Sequence, residues 1–202
     1  EDSKNYHCFQ NLGTAYFEDK QFDNAIDAYK ESLALNNKNS DAYNNLGNSL
    51  YKTEKYDEAI QSYTLAIKLW PNKQFLLNRA KAYNVCNQYK NALSDLWEID
   101  KSSPLFREAE DMMASLYDIL GKHDMSIPIH ESRIKNYENN SPTYKKKVKK
   151  ENLYIKLITA FGKEDDVDNA KKTLATLTKE FPKSIETKRA IAHDAYSDGR
   201  YK

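Results

Sequence analysis

Three asparagines recur along this chain at steps of 34 and 33 residues: Asn11, Asn45 and Asn78. They stand in similar tripeptides, Asn-Leu-Gly, Asn-Leu-Gly and Asn-Arg-Ala. A carboxamide carries both a donor and an acceptor, so it can pair with the peptide group of an extended ligand without reading that ligand's side chains. Three carboxamides at one spacing therefore predict a row of grips for a polypeptide backbone.

The spacing of the asparagines belongs to a repeat that runs through nearly the whole chain. Successive units begin at Tyr6, Ser40, Lys73, Arg107 and Glu151, and a sixth begins at Ile185. Small residues recur at one position of the first four units, Gly13, Gly47, Ala80 and Ala114, and Ile158 takes this position in the fifth. Prolines close three of the five units. Small and large residues at helical spacing, followed by a residue that cannot continue a helix, predict two helices in each unit.

A single pair of helices cannot bury its apolar surface alone, whereas stacked pairs can. The sequence therefore predicts an all-α fold, a right-handed α-solenoid of antiparallel helix pairs. The predicted segments are an N-terminal flank (1–5), repeats 6–39, 40–72, 73–106 and 107–140, a lysine-rich insertion (141–150), a fifth repeat (151–184) and the first helix of a truncated sixth (185–202). Pro128 falls within the second helix of the fourth unit and predicts a kink or a late helix start there.

This pattern resembles the tetratricopeptide repeat, whose length and small/aromatic signature are those just described. The resemblance covers residues 6–202 and is strongest in 40–72. It implies a protein-interaction scaffold whose first helices line a concave groove. The asparagine column is similar to the asparagine ladder of O-GlcNAc transferase and kinesin light chain, where such residues grip extended peptides.

The resemblance implies a set of groove residues in which the units differ. Asn11, Asn45 and Asn78 are expected as backbone grips; Asn44, Asn48, Tyr51 and Lys81 are expected to read side chains; Asp111 and Asp118, with Glu108, make the fourth unit acidic. We therefore expect an extended peptide of a partner protein in the groove of repeats 1–3, with a basic residue toward the fourth unit.

Two other binding functions stay open. A carboxylate clamp for the acidic tail of a heat-shock chaperone would use Asn48 and Asn78, but Asn44 stands where the family has lysine, and Glu108 and Met112 replace its basic pair. A helical-repeat RNA-binding module would need a repeated base-reading side chain and a basic face. The amide column ends at Met112, and the fourth unit is acidic.

The residue types needed for catalysis or metal binding are scattered. The histidines are His7, His123, His130 and His193, and none is spaced as a pair of metal ligands. His123 and His130 align with aromatic residues of other units and are predicted to pack. Neither a glycine-rich phosphate loop nor a nucleophile elbow occurs. The sequence predicts no enzyme activity, no metal site and no cofactor.

The step from the fourth to the fifth unit is 44 residues long, because Ser141 to Lys150 are inserted. This insertion is predicted to lengthen the next first helix by about two turns. It carries five lysines: Lys145, Lys146, Lys147, Lys149 and Lys150. They predict either a solvated helix extension or a second interface for an acidic partner.

Charge and composition limit the partners further. A formal net charge of +1 gives no reason to expect nucleic acid or an anionic membrane, and no apolar run is long enough for membrane insertion. Cys8 and Cys86, without metal-type spacing, favour a reducing intracellular compartment, cytoplasmic or nuclear. Because the sequence begins at Glu1 and ends within a unit, we expect a part of a larger polypeptide or multiprotein complex.

Overall fold

Ten helices build the part of the chain that the computed structural model describes, which is residues 2–137, 149–187 and 189–191, with side chains from residue 5 onward. They are α1 (Asp2–Glu18), α2 (Phe22–Leu35), α3 (Ser40–Lys52), α4 (Tyr56–Leu69), α5 (Lys73–Val85), α6 (Tyr89–Trp97), α7 (Phe106–Ile119), α8 (His123–Lys135), α9 (Lys150–Lys163) and α10 (Val167–Glu180). Residues 185–187 and 189–191 are also helical. The described residues contain no strand, and none of their helices has the length and apolar character needed to cross a bilayer.

The first helix of every unit ends in the same left-handed turn. The residues with positive φ are Lys20, Glu54, Asn87, Gly121 and Asp165, one in each unit at equivalent places. In each case the next amide N–H donates to a carbonyl five residues back, as Lys55 N does to Leu50 O at 2.9 Å. This is the hydrogen bond of a Schellman motif, which ends a helix and reverses the chain. Only Gly121 is a glycine, the residue that adopts this conformation without steric cost.

Most helices pack against the helix before or after them in the sequence, which confirms the predicted all-α solenoid of helix pairs. The chain divides into two compact units, Glu1–Asp111 and Met112–Lys202, with the division inside α7. In the first, α1 packs on α2, α3 on α4 and α5 on α6, while α2 contacts α3 and α4 contacts α5. The first helices are also neighbours, since α3 borders both α1 and α5. Equivalent residues of α1, α3 and α5 therefore follow one another along one side of this unit.

Two tyrosine rings lie directly against glycines in the first two helix pairs. A Cβ added to Gly13 would stand 2.8 Å from Cδ1 of Tyr29, and one added to Gly47 would stand 2.6 Å from Cε1 of Tyr63. Both rings are almost fully buried. Any larger residue in these two places would push the ring out of its site. This contact fixes where the two tyrosine hydroxyl groups lie.

An arginine takes the place of a core leucine in the third pair. Arg79 is equivalent to Leu12 and Leu46, yet its guanidinium is paired with Asp95 through Nε–Oδ2 and Nη2–Oδ1 distances of 2.8 and 2.7 Å. Arg79 Nη1 also donates to the Thr64 hydroxyl of α4 at 3.0 Å. A bidentate ion pair with an added hydrogen bond satisfies charges that would be costly to bury alone. Sequence reasoning noted Arg79 only as part of Asn-Arg-Ala and missed this pair.

In the second compact unit, Met112–Lys202, α9 packs against α8 and α10, around Tyr154, Leu174 and Leu177. Helix α8 runs from His123 through Pro128 to Lys135, so the expected late helix start does not occur. The insertion does not extend α9 as expected either. Lys149 is extended, with φ −81° and ψ 132°, and the helix begins at Lys150. Residues 138–148, which include Lys145, Lys146 and Lys147, lie outside the described part, as do residues 192–202.

The glycine–tyrosine contact predicts the cost of a single methyl group. We expect Gly47→Ala to lower the free energy of unfolding by about 1–3 kcal/mol, because the new Cβ would overlap the buried Tyr63 ring. Urea unfolding followed by circular dichroism measures this. Gly162→Ala is the control: no atom lies within 4 Å of its Cβ position in α9, and helix propensity alone predicts a gain of about 0.5–1 kcal/mol.

A double variant separates the steric clash from other effects of Gly47→Ala. The third unit pairs Ala80 with Leu96 at the equivalent places, and both are fully buried. Gly47→Ala should therefore cost clearly less in a Tyr63→Leu background than in the wild-type background. An equal cost in both backgrounds would contradict the proposed clash.

Candidate functional site

The predicted backbone grips occupy equivalent places on α1, α3 and α5, but their surroundings differ. Asn45 and Asn78 are half-buried, whereas Asn11 is exposed. Within the described residues the Asn11 amide makes no hydrogen bond, while Asn45 and Asn78 each join a network that crosses from one unit to the next. The structure therefore joins two of the three predicted grips to neighbouring units and leaves the first apart.

Asn78 is the centre of the larger network. Its Nδ2 donates to Asn44 Oδ1 at 3.0 Å and to Asn48 Oδ1 at 3.2 Å, and its Oδ1 accepts from Gln74 Nε2 at 3.0 Å. Asn48 Oδ1 also accepts from the Tyr63 hydroxyl at 2.9 Å. Both donors of Asn78 are thus used inside the protein. What stays open is one lone pair of Asn78 Oδ1 and, among the described residues, the Nδ2 group of Asn48.

A smaller version of the same arrangement lies one unit earlier. The Thr14 hydroxyl donates to the carbonyl of Gln10 at 3.0 Å, so the Tyr29 hydroxyl, 3.1 Å away, must donate to Thr14. Asn45 of the next repeat lies near enough to Tyr29 to favour the ionised form of its hydroxyl slightly and so to lower its pKa, although burial outweighs this effect. Burial raises the pKa of Tyr29, and burial with the nearby Tyr51 raises that of Tyr63, so both hydroxyl groups keep their protons.

The end of the asparagine column coincides with a change in a second column of residues. The tyrosine column consists of Tyr29, Tyr63, Leu96, His130 and Leu174 in the five units. The first two tyrosines are followed in the next unit by Asn45 and Asn78; the later members are followed by Met112, Lys156 and Ala190. Asparagine thus occurs where the preceding unit supplies a phenolic hydroxyl. Tyr29 and Tyr63 are the site residues that sequence reasoning missed, and this matched occurrence was the signal for them.

The residues expected to read side chains are largely engaged within the protein. Asn44 is buried and accepts from Asn78, while its own Nδ2 lies 3.4 Å from Asn45 Oδ1. The Tyr51 ring stacks edge-on against Tyr56, with centroids 5.3 Å apart. Lys81 Nζ lies 2.9 Å from Glu108 Oε1, so this lysine and one of the expected groove carboxylates neutralise each other.

The two aspartates of α7 have different surroundings. Asp111 is half-buried and belongs to the first compact unit, whereas Asp118 belongs to the second. Asp118 Oδ2 accepts from Nε2 of the fully buried His130 at 3.0 Å. Burial opposes ionisation of Asp118, but the hydrogen bond from His130 and the charges of His130 and Lys156 favour the carboxylate, so the pKa of Asp118 lies below its usual value. The carboxylate is therefore held as an acceptor for His130.

The histidines, the cysteines and the two described lysines of the predicted second interface lie in different surroundings. His130 is buried against α7, consistent with the expected packing role, and His123 Nδ1 lies 3.7 Å from Asp118 Oδ1. Across the described ranges, no group of three or more histidine, cysteine or acidic side chains is arranged to hold a metal. Cys8 and Cys86 are free thiols. Of the predicted second interface, Lys149 is exposed, and Lys150 Nζ lies 2.9 Å from Glu180 Oε2.

Comparison with known families and structures gives a consistent result. Family models described as "Tetratricopeptide repeat", "TPR repeat" and again "Tetratricopeptide repeat" match residues 40–73, 13–54 and 153–184. No curated protein matches the sequence significantly.

Solved structures resemble the chain at low sequence identity. MamA is 19% identical over 90% of this chain and 94% of its own, with a TM-score of 0.75. YrrB, described as a TPR protein with an unusual peptide-binding site, is 15% identical over 91% and 90%, with a TM-score of 0.73. The first TPR of Spaghetti (RPAP3), solved with the HSP90 peptide SRMEEVD, is 20% identical over 58% and 94%, with a TM-score of 0.56. At these identities the likeness shows the fold.

The network around Asn78 predicts that the Tyr63 hydroxyl stabilises the contact between the second and third repeats, which we call the seam. We expect Tyr63→Phe to lower the free energy of unfolding by about 1 kcal/mol, since Asn48 loses a buried donor. Tyr43→Phe is the matched control on α3, because its hydroxyl has no hydrogen bond among the described residues. Chemical denaturation of the three proteins measures the difference, and equal stability of Tyr63→Phe and wild type would show that the hydroxyl does not hold the seam.

The lowered pKa of Asp118 predicts a pH-dependent contribution to stability. A carboxylate whose pKa is lower in the folded than in the unfolded state stabilises the fold above its unfolded pKa and loses that effect as the pH falls. The stability difference between wild type and Asp118→Asn should therefore shrink from pH 7 toward pH 3. Asp124→Asn, an exposed carboxylate on α8 without a described hydrogen bond, is the control, and the same pH profile for both variants would contradict the assignment.

Proposed function

Because the chain belongs to the tetratricopeptide repeat superfamily, we propose that it is a protein-interaction scaffold that binds an extended peptide of a partner along α1, α3 and α5. The observation that carries this proposal is the amide network around Asn78. It leaves two groups without a hydrogen-bond partner among the described residues, the Nδ2 donor of Asn48 and one acceptor lone pair of Asn78 Oδ1. Two similar structures support a peptide ligand, since one is described by its peptide-binding site and another is bound to a peptide.

The open groups match what a peptide backbone presents. The two amides lie side by side, with Asn78 Nδ2 3.2 Å from Asn48 Oδ1. Asn48 Nδ2 can donate to a ligand carbonyl, and Asn78 Oδ1 can accept from a ligand N–H. Gln74, Tyr63 and Asn44 fix the orientation of these amides before a ligand arrives, which lowers the entropy lost on binding. Asn11 would contact the same ligand further along α1.

The charge of the ligand follows from the same region. Lys81 and Glu108 form an ion pair, so neither presents a full charge to a ligand. The charges of Lys81 and Arg79 are already paired with Glu108 and Asp95, which disfavours the carboxylate clamp for an acidic tail. Asp111 lies on the next turn of α7 after Glu108. A basic residue near this end of the ligand is therefore part of the proposal, and Asp111→Lys should weaken its binding.

The proposal is tested with peptides selected from a random twelve-residue display library on the intact chain. We expect Asn11→Ala to weaken binding of a selected peptide about 5–10-fold without changing thermal stability, since Asn11 has no described partner in the protein. Asn48→Ala should weaken binding at least as much. Isothermal titration measures both affinities, and Asn37→Ala, an exposed asparagine between α2 and α3, is the matched control.

The Tyr63→Phe variant distinguishes the loss of a direct ligand contact from a weaker contact between neighbouring repeats. It removes the hydroxyl bound to Asn48 but leaves every amide in place. If the asparagines act as grips, this variant should lose stability but lose much less affinity than Asn48→Ala, because it removes only one of the bonds that orient the Asn48 amide. Peptides that bind equally well to Asn11→Ala, Asn48→Ala and wild type would refute the proposed site.

A further inference from the structure

The amides of Asn48 and Asn78 each lack one half of what a backbone grip needs. Asn78 donates both of its N–H groups, to Asn44 and to Asn48, so towards a ligand it can only accept. Asn48 Oδ1 accepts from Asn78 and from the Tyr63 hydroxyl, which occupies both of its lone pairs, so this amide can only donate. Only the two amides together supply one acceptor and one donor.

The donor of this pair is open to solvent. In the described part of the first compact unit, every fully buried side-chain nitrogen or oxygen of the buried and half-buried residues has a hydrogen-bond partner. Asn48 is half-buried, and its Nδ2 group has no partner among the described residues. This nitrogen is therefore not fully buried, and a ligand can reach it without first breaking a bond inside the protein.

The acceptor of the pair separates two classes of extended ligand. Proline-rich segments in the polyproline II conformation offer carbonyl groups, but a proline has no backbone N–H, so sites for them depend on donors. A proline placed over Asn78 Oδ1 would cover an acceptor without pairing it, which costs affinity. In a β-extended chain, by contrast, the N–H and the carbonyl of one residue point to the same side. One such residue can satisfy both amides.

We propose that the Asn48–Asn78 pair selects partner segments that are β-extended and that carry a residue other than proline at this place. The backbone N–H of that residue donates to Asn78 Oδ1, and its carbonyl accepts from Asn48 Nδ2. Its side chain projects out of the plane of these bonds and is not read by the two amides. This inference rests on the proposed function and adds the class of peptide that the groove accepts.

Single N-methylated analogues of a selected peptide test the acceptor. The peptide is one selected from the twelve-residue display library on the intact chain, and isothermal titration measures each analogue. We expect one residue at which N-methylation weakens binding at least about ten-fold, because the methyl group replaces the proton that Asn78 Oδ1 accepts. Proline at the same residue should weaken binding to a similar extent.

An ester analogue tests the donor. Replacing the amide bond that follows this residue by an ester makes its carbonyl a weaker acceptor, and we expect about a three- to five-fold loss of affinity for the wild-type protein. The loss should vanish in Asn48→Ala and persist in the matched control Asn37→Ala. Because the two peptides are compared on the same protein each time, any weakening of the contact between repeats cancels.

The possible failures of this inference and of the proposed function are distinguishable. A peptide that needs Asn48 but tolerates N-methylation and proline at every residue would overturn only the inference. The same is true of an ester effect that is as large in Asn48→Ala as in wild type. Peptides that bind equally well to Asn11→Ala, Asn48→Ala and wild type would overturn both, because no part of the ligand would then contact the pair.

Discussion

The contact between a tyrosine ring and a bare stretch of helix backbone determines much of the first compact unit. Gly13 and Gly47 leave room for the rings of Tyr29 and Tyr63, which lie where a Cβ would stand. The rings are long enough for their hydroxyl groups to reach Thr14 and Asn48 at the seam with the next unit. Close packing within one helix pair therefore sets the polar contacts between pairs. Where Ala80 and Leu96 replace glycine and tyrosine, no hydroxyl is available for such a contact.

In the proposed site, the asparagines of the first compact unit would serve structure and ligand binding with different atoms of the same amide. Asn78 donates both of its N–H groups, to Asn44 and Asn48, and one lone pair of its Oδ1 remains available to a ligand. Asn48 accepts twice through Oδ1 and keeps its Nδ2 group free. A group held in place by one set of bonds can present the remaining ones at little entropic cost. For the same reason, replacing Asn48 or Asn78 would alter stability together with the proposed binding, whereas Asn11, which has no hydrogen bond among the described residues, would separate the two effects.

Different types of side chain make the polar contacts of the helix pairs in the two compact units. In the first, neutral amides and phenols link neighbouring pairs beside ion pairs such as Lys81 with Glu108, and Arg79, paired with Asp95, stands where leucine is usual. In the second, Asp118 accepts from the buried His130, and Lys156 Nζ lies 3.3 Å from the Ser115 hydroxyl. The Lys156–Ser115 contact joins the places that Asn78 and Asn48 occupy in the first unit. The geometry between pairs is thus kept while the side chains that use it change.

The sequence alone determined the helices, their pairing and the positions of the asparagine column. These depend on signals within a few residues: apolar spacing of three and four, small residues at helix contacts and prolines after helix ends. Such signals were weak for the left-handed turns, since Lys20, Glu54 and Asp165 adopt a conformation typical of glycine. They also misplaced the start of α9, because an extended Lys149 precedes that helix.

Only the tertiary structure decided which of the column's groups are already paired. The partners of Asn78 lie 30 and 34 residues away in sequence, and local periodicity carries no information about a hydrogen bond across that distance. The same holds for the Lys81–Glu108 pair and for the hydrogen bond between Asp118 and His130, which pair groove charges expected from the sequence with partners inside the protein. Periodicity fixes which residues share a helix face, whereas distances between faces fix which of their atoms remain free for a ligand.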